Sequence, residues 1–509
     1  MADEPSTSEP AYDVVIIGAG FSGSLTAIHL LDQGAQAGAD GPPVSVALVE
    51  KELSAFGRGV AYGTPCPRHL LNVPAGKMGA FPDRLDDFQR WLEAHPEATA
   101  ELGVESVDAG AFVPRVLYGR YVASLLDEAA ARADGRLRRV AGEVVEITPA
   151  DAPGGPLRVE LADGRRLRAE RVVLALGTFP PGDPRLRDNR FHRSPRYLYS
   201  PWSAETHDRL TAGGDALILG SGLTGLDLLL TLRGRKHQGT VHVLSRHGLF
   251  PRPHRPGLAP WPAFLRAGEL PRTVRGMFRV VRRQIAAAGA SGADWRAVID
   301  SLRPFTQEFW QGLTRVERNR FLRHLRALWE PHRHRAAPQA LAVKEELEQT
   351  GRLVCHRGRI ERIAEVDGGA ALEVVFRRRG RDGARETLRV DYVVNCTGPE
   401  CNYHRLGDPL ITNLFARGLA RPDALVLGLD VAPDGAVLDA EGTAGGRLFT
   451  LGSPQKGQLL ETTAVPELRV QARDLARRLR RSHPDDPSRQ PPTDAAASSL
   501  AGRGLAFEI

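Results

Sequence analysis

The feature that most constrains this sequence is a pair of glycine-rich turns, each placed between an apolar strand pattern and a helix pattern. In the first, Asp13–Ile17 runs into Gly18-Ala19-Gly20-Phe21-Ser22-Gly23, and a helix pattern extends from Ser24 to Gln33. In the second, Ala216–Leu219 runs into Gly220-Ser221-Gly222-Leu223-Thr224-Gly225, and a helix pattern extends from Leu226 to Leu232. A further strand follows each helix, at Val44–Glu50 and Thr240–Leu244. This order is typical of dinucleotide-binding βαβ units, so the sequence predicts an α/β fold with two Rossmann-like domains.

Each glycine of such a turn has its own physical task. The first permits the tight turn, the second lets the backbone approach a pyrophosphate, and the third lets the helix pack on the strand. The helix N-terminus then offers free N–H groups and partial positive charge to the phosphates. The predicted cofactor contacts are therefore Gly18, Gly20, Ser22 and Gly23 in the first turn, and Gly220, Gly222, Thr224 and Gly225 in the second.

The residue at the end of the second strand indicates which dinucleotide binds. Glu50 can accept hydrogen bonds from both ribose hydroxyls, which favours FAD in the first domain. The second domain has Ser245 and Arg246 there, without a carboxylate. A guanidinium suits a 2′-phosphate, which favours NADPH over NADH. The alternative for Arg246 is an ordinary surface charge.

A repeated pattern of strands indicates two related domains. Gly135–Thr178 and Gly351–Gly398 both show a strand, a small antiparallel excursion and a buried strand that ends in a small residue and glycine. We expect an FAD-binding domain at residues 11–205 and 390–481 and an NAD(P)-binding domain at 206–389, with a helical insertion at about 259–349. Residues 1–10 are expected to be a flexible tail, and the polar segment 482–509 a mostly disordered one.

Composition argues against several other classes of protein. The chain has 509 residues and a net charge of +7, carried almost entirely by arginine. The arginines do not form a patch interleaved with aromatic residues, so nucleic-acid binding is not expected. Neither a long apolar run nor an N-terminal signal pattern is present, and the four cysteines are scattered. We therefore expect a cytoplasmic protein with a small-molecule substrate and no membrane partner; the sequence does not indicate an oligomeric state.

The two turns, together with the strand ends Leu174–Thr178 and Val394–Gly398, resemble the two-dinucleotide flavoproteins. That superfamily includes glutathione-reductase-like enzymes and the flavin-containing, Baeyer–Villiger and N-hydroxylating monooxygenases. More narrowly, the chain is similar to a bacterial FAD-NAD(P)-binding family. The segments that carry this similarity are Gly57–Tyr62, Leu71–Ala75, Gly222–Thr224, Ser245–Leu249, His332–Arg335 and Glu461–Arg469.

The resemblance implies further cofactor contacts. Asn72 would lie near the flavin ring, and Val144 or Val145 would touch the adenine. Gly177 and Gly398 end the two buried strands, and Gly452 would lie beside the flavin. In relatives an aspartate follows that last glycine and binds the ribitol; here Ser453 follows instead. A helix beginning near Pro466 would direct its N-terminus at the flavin pyrimidine.

The absence of certain motifs narrows the range of activities that the sequence predicts. The sequence has no CxxC pair, which disfavours a disulfide reductase, and no spacing typical of a metal site. The linker motif FxGxxxH of the monooxygenases is not intact, because Phe191–Trp202 occupies its place. The run His332–Arg335 either binds an anion, with a histidine as acid or base, or is a solvated turn after a helix. The candidate catalytic residues are His334, Arg335, Tyr199 and Asn72.

Together these features predict an FAD-dependent oxidoreductase that is reduced by NADPH. The preferred interpretation is a flavin monooxygenase acting on a small polar substrate such as an amine. The first alternative is an NADPH-dependent flavin reductase that passes electrons to a partner or small acceptor without oxygenation. The second is a flavin-binding sensor or scaffold with little turnover.

Overall fold

The structure is a computed structural model, and it describes residues 9–32, 43–104, 107–150, 155–211, 213–380 and 383–481. The predicted tail at 482–509 and most of the one at 1–10 lie outside these ranges. The strands are β1 Ala11–Ile17, β2 Val46–Glu50, β3 Leu137–Ala141, β4 Val144–Pro149, β5 Leu157–Leu161, β6 Arg166–Leu174, β7 Tyr197–Leu198, β8 Ala216–Leu219, β9 Val241–Ser245, β10 Leu353–Val366, β11 Ala371–Arg378, β12 Arg385–Val390, β13 Tyr392–Asn395, β14 Ala436–Leu438 and β15 Ala444–Thr450.

The helices fall into three groups along the chain. Those before β7 are α1 Phe21–Leu31, α2 Gly59–Tyr62, α3 Asp87–Ala94, α4 Pro96–Glu101 and α5 Arg115–Arg132. Those between β7 and β10 are α6 Ala204–Thr211, α7 Leu223–Gly234, α8 Val274–Ala290, α9 Trp295–Asp300, α10 Thr306–Gly312, α11 Arg315–Arg320, α12 Arg326–Arg333 and α13 Pro338–Gln349. Those after β13 are α14 Pro409–Ala416, α15 Lys456–Leu459 and α16 Val465–Arg481.

The first sheet has the strand order β14-β15-β6-β1-β2-β3. β1 pairs in parallel with β2 and with β6, and its apolar residues Val14–Ile17 are buried because both faces of the sheet are covered. β4 and β5 form the antiparallel excursion that leads into β6. α1 packs against α16 on one face, so the last helix of the chain covers the helix of the first glycine turn.

The second sheet has the order β12-β11-β10-β9-β8-β13-β7. β8 pairs in parallel with β9 and β13, as β1 does with β2 and β6. β10 begins parallel to β9 and then turns into an antiparallel excursion with β11 and β12. The prediction of an α/β fold with two related parallel sheets and antiparallel excursions is therefore confirmed.

The predicted domain boundaries do not coincide with sheet membership. β7 lies before residue 206 and β13 lies after residue 389, yet both pair in the second sheet. The chain therefore returns to the first sheet after Asn395 rather than near Val390. Sequence reasoning placed these short strands wrongly because a strand of two to four residues carries too little pattern to show its partner.

The predicted insertion is helical, but it is shorter than expected. α8 to α12 form the insertion, and residues 246–273 before them contain neither helix nor strand. α13 instead packs on α7 and precedes β10, so it is the crossover helix of the second sheet. The insertion thus extends from α8 to α12.

Candidate functional site

The first glycine turn is shaped by close backbone contacts. Gly18 has a φ of +100°, and a Cβ there would lie 2.3 Å from the carbonyl oxygen of Ala175 at the end of β6. A Cβ on Gly23 would lie 1.9 Å from the oxygen of Gly18, which explains why the third glycine lets the helix pack on the strand. Gly20 precedes α1, and no side chain caps the helix there. The N-terminus of α1 is therefore available to an anionic ligand.

The second glycine turn repeats this geometry. Gly220 has a φ of +113°, and its Cβ would lie 2.4 Å from the oxygen of Cys396 at the end of β13. Gly222 precedes α7, again without a side-chain cap, and a Cβ there would meet no atom within 4 Å. A side chain at Gly222 would therefore project into the space in front of the helix. That open space beside a bare helix end fits a pyrophosphate.

Both turns open onto one continuous cavity of about 3110 Å³. A pocket for one small ligand typically has about 300–1,000 Å³, so this cavity has room for two dinucleotides and a third molecule. Most residues predicted from the sequence line it: Gly18, Gly20, Ser22, Glu50, Asn72, Gly177, Gly220, Gly222, Thr224, Ser245, Arg246, His334, Arg335, Gly398 and Gly452.

Four predicted residues do not line the cavity. Gly23 and Gly225 lie behind the turns, where they allow the helices to pack. Val144 lines the cavity rather than Val145, whose carbonyl oxygen accepts a hydrogen bond from Asn413 instead. Tyr199 is 60% exposed and lies outside the cavity, so its proposed catalytic role finds no support in the geometry.

Glu50 is bonded to the first glycine turn. One of its carboxylate oxygens accepts a hydrogen bond from the backbone N–H of Ala19 at 2.8 Å, and the other accepts one from Lys51 at 2.9 Å. These bonds orient the carboxylate at the carboxyl end of β2, beside the cavity. A carboxylate in this place has lone pairs left for ribose hydroxyls.

The end of β9 is basic rather than acidic. Arg246 is exposed and lines the cavity. Burial lowers the pKa of the neighbouring His247, and the charges of Arg379, Arg246 and Arg357 lower it further. Arg357 lies against Gly248, whose Cβ would be 3.2 Å from the Cβ of that arginine. Three arginines from distant parts of the chain therefore surround this strand end, and sequence reasoning identified only Arg246.

The run His332–Arg335 is not a solvated turn. Arg333 and Arg335 have side chains only 12% and 6% exposed, and they pair with Glu461 and Asp300 respectively. His332 does not line the cavity. Its Nδ1 lies 2.7 Å from the backbone oxygen of Leu328, to which it donates a hydrogen bond. His334 lines the cavity, and burial lowers the pKa of its imidazole, which is therefore neutral at pH 7.

Buried ion pairs join the insertion to the C-terminal part of the first domain. Arg333 pairs with Glu461 at 2.8 Å, and the indole N–H of Trp329 donates to the other oxygen of Glu461 at 3.0 Å. Arg303 pairs with Glu467, in the first turn of α16, at 2.8 Å. The motif Glu461–Arg469 thus serves in part to anchor the insertion, a role that sequence resemblance did not reveal.

Ser453 follows Gly452 at the end of β15, where the resemblance implies an aspartate. Gly452 has a φ of +77°, and its backbone N–H donates to the side-chain oxygen of Gln471 at 3.0 Å. The hydroxyl of Thr462 is hydrogen-bonded to the same glutamine. The polar groups beside Gly452 are therefore a side-chain amide and a hydroxyl. α16 begins at Val465, in agreement with the helix predicted near Pro466.

Two findings concern other kinds of site. Within the described ranges, no group of three or more histidine, cysteine or carboxylate side chains is placed to hold a metal ion. No helix in the described part of the chain is long and apolar enough to cross a membrane.

Comparison with known proteins agrees with this geometry. Residues 15–179, which include the first glycine turn, match a protein-family model described as FAD-NAD(P)-binding. The match confirms the predicted resemblance for that part of the chain. Across a longer stretch, the chain is similar to the uncharacterised protein Rv3403c of Mycobacterium tuberculosis, with 23% identity over 475 residues, 84% of this chain and 87% of that protein.

Solved structures with the same fold cover almost the whole chain. The ornithine hydroxylase PvdA of Pseudomonas aeruginosa superposes with a TM-score of 0.62 at 17% identity, covering 92% of this chain and 99% of that one. The ornithine N-hydroxylase KtzI of Kutzneria, in a structure named with reduced FAD, NADP+ and L-ornithine, has a TM-score of 0.61 at 15% identity, with coverages of 93% and 99%. The FAD-bound cadaverine monooxygenase DfoA of Erwinia amylovora has a TM-score of 0.62 at 12% identity, with coverages of 92% and 95%. The fold is that of the two-domain flavoproteins.

Proposed function

We propose that this chain is an FAD-dependent oxidoreductase reduced by NADPH, and that it acts as a monooxygenase on a small polar amine. The observation that carries the proposal is that two bare helix ends, each after a glycine turn, open onto one cavity. A cavity of this kind brings an electron donor and a flavin together without a carrier between them. FAD, when bound, would supply the redox chemistry between NADPH and dioxygen, and this chain would supply the binding and orientation of both cofactors.

The first domain supplies the flavin site. The uncapped N-terminus of α1 at Gly20 would hold the pyrophosphate, and the oriented carboxylate of Glu50 would accept hydrogen bonds from the ribose. Asn72 and the N-terminus of α16 line the cavity where the ring would lie. The positive end of α16 favours the negative charge that develops on a reduced ring.

The second domain supplies the NADPH site. The uncapped N-terminus of α7 at Gly222 would hold the pyrophosphate. The arginines around the end of β9, which are Arg246, Arg357 and Arg379, would neutralise a 2′-phosphate. Ser245, whose hydroxyl is bonded to that of Ser221, stands at the position from which an acid holds the ribose hydroxyls in NADH enzymes.

The insertion provides the wall for a substrate. His334 lines the cavity with a neutral imidazole, which can accept a proton from an ammonium group. Glu330 lies on the same wall; its Oε1 pairs with Arg326 at 2.9 Å, and its other oxygen would be the one to hold a substrate cation. An amine substrate fits this pairing, and the solved structures named for ornithine and cadaverine enzymes add to the same proposal. We also place the enzyme in the cytoplasm, with no nucleic-acid partner.

A spectrum of the purified protein tests the proposal. We expect flavin absorbance that NADPH bleaches without oxygen, and a product that carries oxygen from labelled dioxygen when a panel of amines is supplied. Bleaching without label in any product would indicate a reductase instead. Flavin that NADPH does not bleach would indicate a sensor or scaffold, and a protein without flavin would refute the proposal entirely.

A further inference from the structure

One face of α7, the helix of the second glycine turn, lies against the first domain. Asp227, Thr231 and Gly234 are spaced four and three residues apart and therefore share that face. Asp227 pairs with Arg115, at the start of α5, with 2.9 Å between Oδ2 and the guanidinium nitrogen. Thr231 is hydrogen-bonded to Nε2 of His69 at 2.8 Å. A Cβ on Gly234 would lie 2.5 Å from the side chain of Arg68, so the contact extends over about two turns of the helix.

The residues that hold α7 belong to the segment that carries Asn72 into the cavity. The backbone N–H of Arg115 donates to the oxygen of His69 at 2.8 Å, and its side-chain Nε donates to the oxygen of Leu70 at 2.9 Å. Asn72 follows directly, and its own carbonyl oxygen lies 2.9 Å from Nε2 of His254 in the second domain. Residues 68–72 are therefore bonded to α7 at one end and to the cavity wall at the other.

The polar character of this contact needs an explanation. The side chains of Arg115 and Asp227 are 13% and 7% exposed, so both charges have lost most of their water. Burial raises the pKa of Asp227 to about 6 although Arg115 lowers it, which shows that the pair is costly to bury. Apolar side chains would join two domains at a lower cost. A directional, charged contact instead fixes one arrangement of its partners.

We propose that Arg115 and Asp227, assisted by His69 and Thr231, are positioning residues that hold the NADPH-binding helix in register with the flavin-binding loop at Asn72. Hydride transfer then takes place in the domain arrangement seen here. This inference rests on the proposed function, since it assigns a task within the same cavity. It predicts that these four side chains control the rate of flavin reduction although none of them carries the cofactor phosphates.

The test compares Asp227→Asn with Arg115→Lys and with the control Arg233→Ala. Arg233 lies on the same helix but pairs with Glu346 at the surface, where both side chains are about half exposed. We expect Asp227→Asn to slow the limiting rate of anaerobic flavin reduction by about tenfold to a hundredfold, because a displacement near 1 Å has an effect of that size. The dissociation constant for NADPH should change much less. Arg115→Lys, which keeps the positive charge, should retain most of the rate of flavin reduction. Arg233→Ala should reduce its flavin as fast as the unmodified protein.

Hydrogen–deuterium exchange provides a readout that does not need turnover. Asp227→Asn should increase deuterium uptake in both α7 and residues 68–72, with or without cofactors. Unchanged uptake, or increased uptake with a normal reduction rate, would overturn the inference. Where Asp227→Asn does not fold, Thr231→Val removes the bond to His69 and the longer bond, at 3.3 Å, to the backbone oxygen of Asp227 on the same helix. A reduction rate equal to that of the unmodified protein would then count against the inference. If NADPH does not reduce the flavin of the unmodified protein, the proposed function fails, whereas the exchange experiment still decides whether the contact holds the two segments together.

Discussion

The hydroxyl groups of Ser221 and Ser245 are hydrogen-bonded at 2.8 Å, at the place where the first domain has the bond between Ala19 and Glu50. In both domains a hydrogen bond thus joins the glycine turn to the end of the second strand. The acceptor is a carboxylate in the first domain and a hydroxyl in the second. The hydroxyl of Ser245 also accepts from the backbone N–H of Gly248, which folds the next residues back over the strand end. A carboxylate stands at one strand end and arginines at the other, which is the difference on which the proposed sites for FAD and NADPH depend.

Removing the guanidinium of Arg246 should weaken the binding of NADPH much more than the binding of NADH. A hydrogen bond to a charged group is worth about 1.5–3 kcal/mol, so Arg246→Ala should raise the dissociation constant for NADPH by about tenfold to a hundredfold. Arg357→Ala and Arg379→Ala should act in the same direction, since both charges reach His247. Titration of each variant with both nucleotides measures the effect.

The matched control for these variants is Arg389→Ala. Arg389 lies in β12 and pairs with Asp367 on the outer part of the same antiparallel excursion. Its removal should leave both dissociation constants unchanged. Equal losses for NADPH and NADH in Arg246→Ala would contradict the assignment of the 2′-phosphate.

Gly20→Val should abolish the binding of FAD while leaving the fold intact. Gly20 has a φ of −68°, which any residue adopts, and a Cβ there would meet the Cα of Gly59 at an ordinary 3.5 Å. The larger side chain would instead fill the space before α1 where the pyrophosphate binds. The ratio of flavin to protein absorbance measures the loss, and circular dichroism checks the fold.

Gly18→Ala separates loss of fold from loss of flavin. A Cβ at Gly18 would collide with the oxygen of Ala175 at 2.3 Å, and its φ of +100° is strained for any other residue. This variant should therefore misfold, unlike Gly20→Val. Full flavin occupancy in Gly20→Val would show that the dinucleotide is not held at this turn.

Arg333→Ala should destabilise the protein strongly because it leaves Glu461 buried without its partner. The two side chains are 12% and 7% exposed, and breaking a buried pair typically costs about 3–5 kcal/mol. Arg326→Ala, on the same helix, removes a pair with Glu330 that is 36% and 45% exposed and should cost less than about 1 kcal/mol. Urea unfolding compares the two variants, and similar midpoints would contradict the role given to Glu461.

Stability should fall as the pH drops from about 7 to about 4. Burial lowers the pKa of His69 to about 3, and those of His29 and His254 to about 4, from an ordinary value of 6.5. The unfolded chain therefore binds more protons than the folded one below about pH 6.5, and each proton contributes up to about 1.4 kcal/mol per pH unit. Burial also raises the pKa of Asp227, to about 6, and that of Asp423, and these two carboxyl groups work in the opposite direction. The three histidines outnumber them.

His254→Gln tests the histidine contribution to this pH dependence. A glutamine can still donate to the oxygen of Asn72 but does not titrate. Melting temperatures measured between pH 7 and pH 5 should fall less steeply in this variant than in the unmodified protein. A melting temperature independent of pH in the unmodified protein would refute the prediction.

Local pattern was sufficient to predict the parts of the fold near the two turns. The strands that flank Gly18 and Gly220 were predicted because each is a short apolar run that leads into a turn only glycine can form. The same reasoning gave Glu50 and Arg246, since position along the chain fixes which residue ends the second strand. These features depend on neighbours within about thirty residues.

Contacts between distant segments were not predictable in this way. Arg115 and Asp227 are separated by more than a hundred residues, and neither has an unusual sequence context. Arg357 and Arg379 reach the end of β9 only because the antiparallel excursion folds back beside it. Tyr199 was chosen for its place in a motif, but the chain there turns the ring outwards.

The pairing of β6 with β15, and the packing of α1 on α16, bear on how the protein is made. As the chain leaves the ribosome, the second sheet has all its strands by Asn395, whereas the first waits for Ala444–Thr450. Nascent chains that stop before α16 would leave the helix of the first turn uncovered and exposed to aggregation. The proposed flavin site at the first turn would thus be complete only after α16 has been made, whereas the second sheet can form earlier.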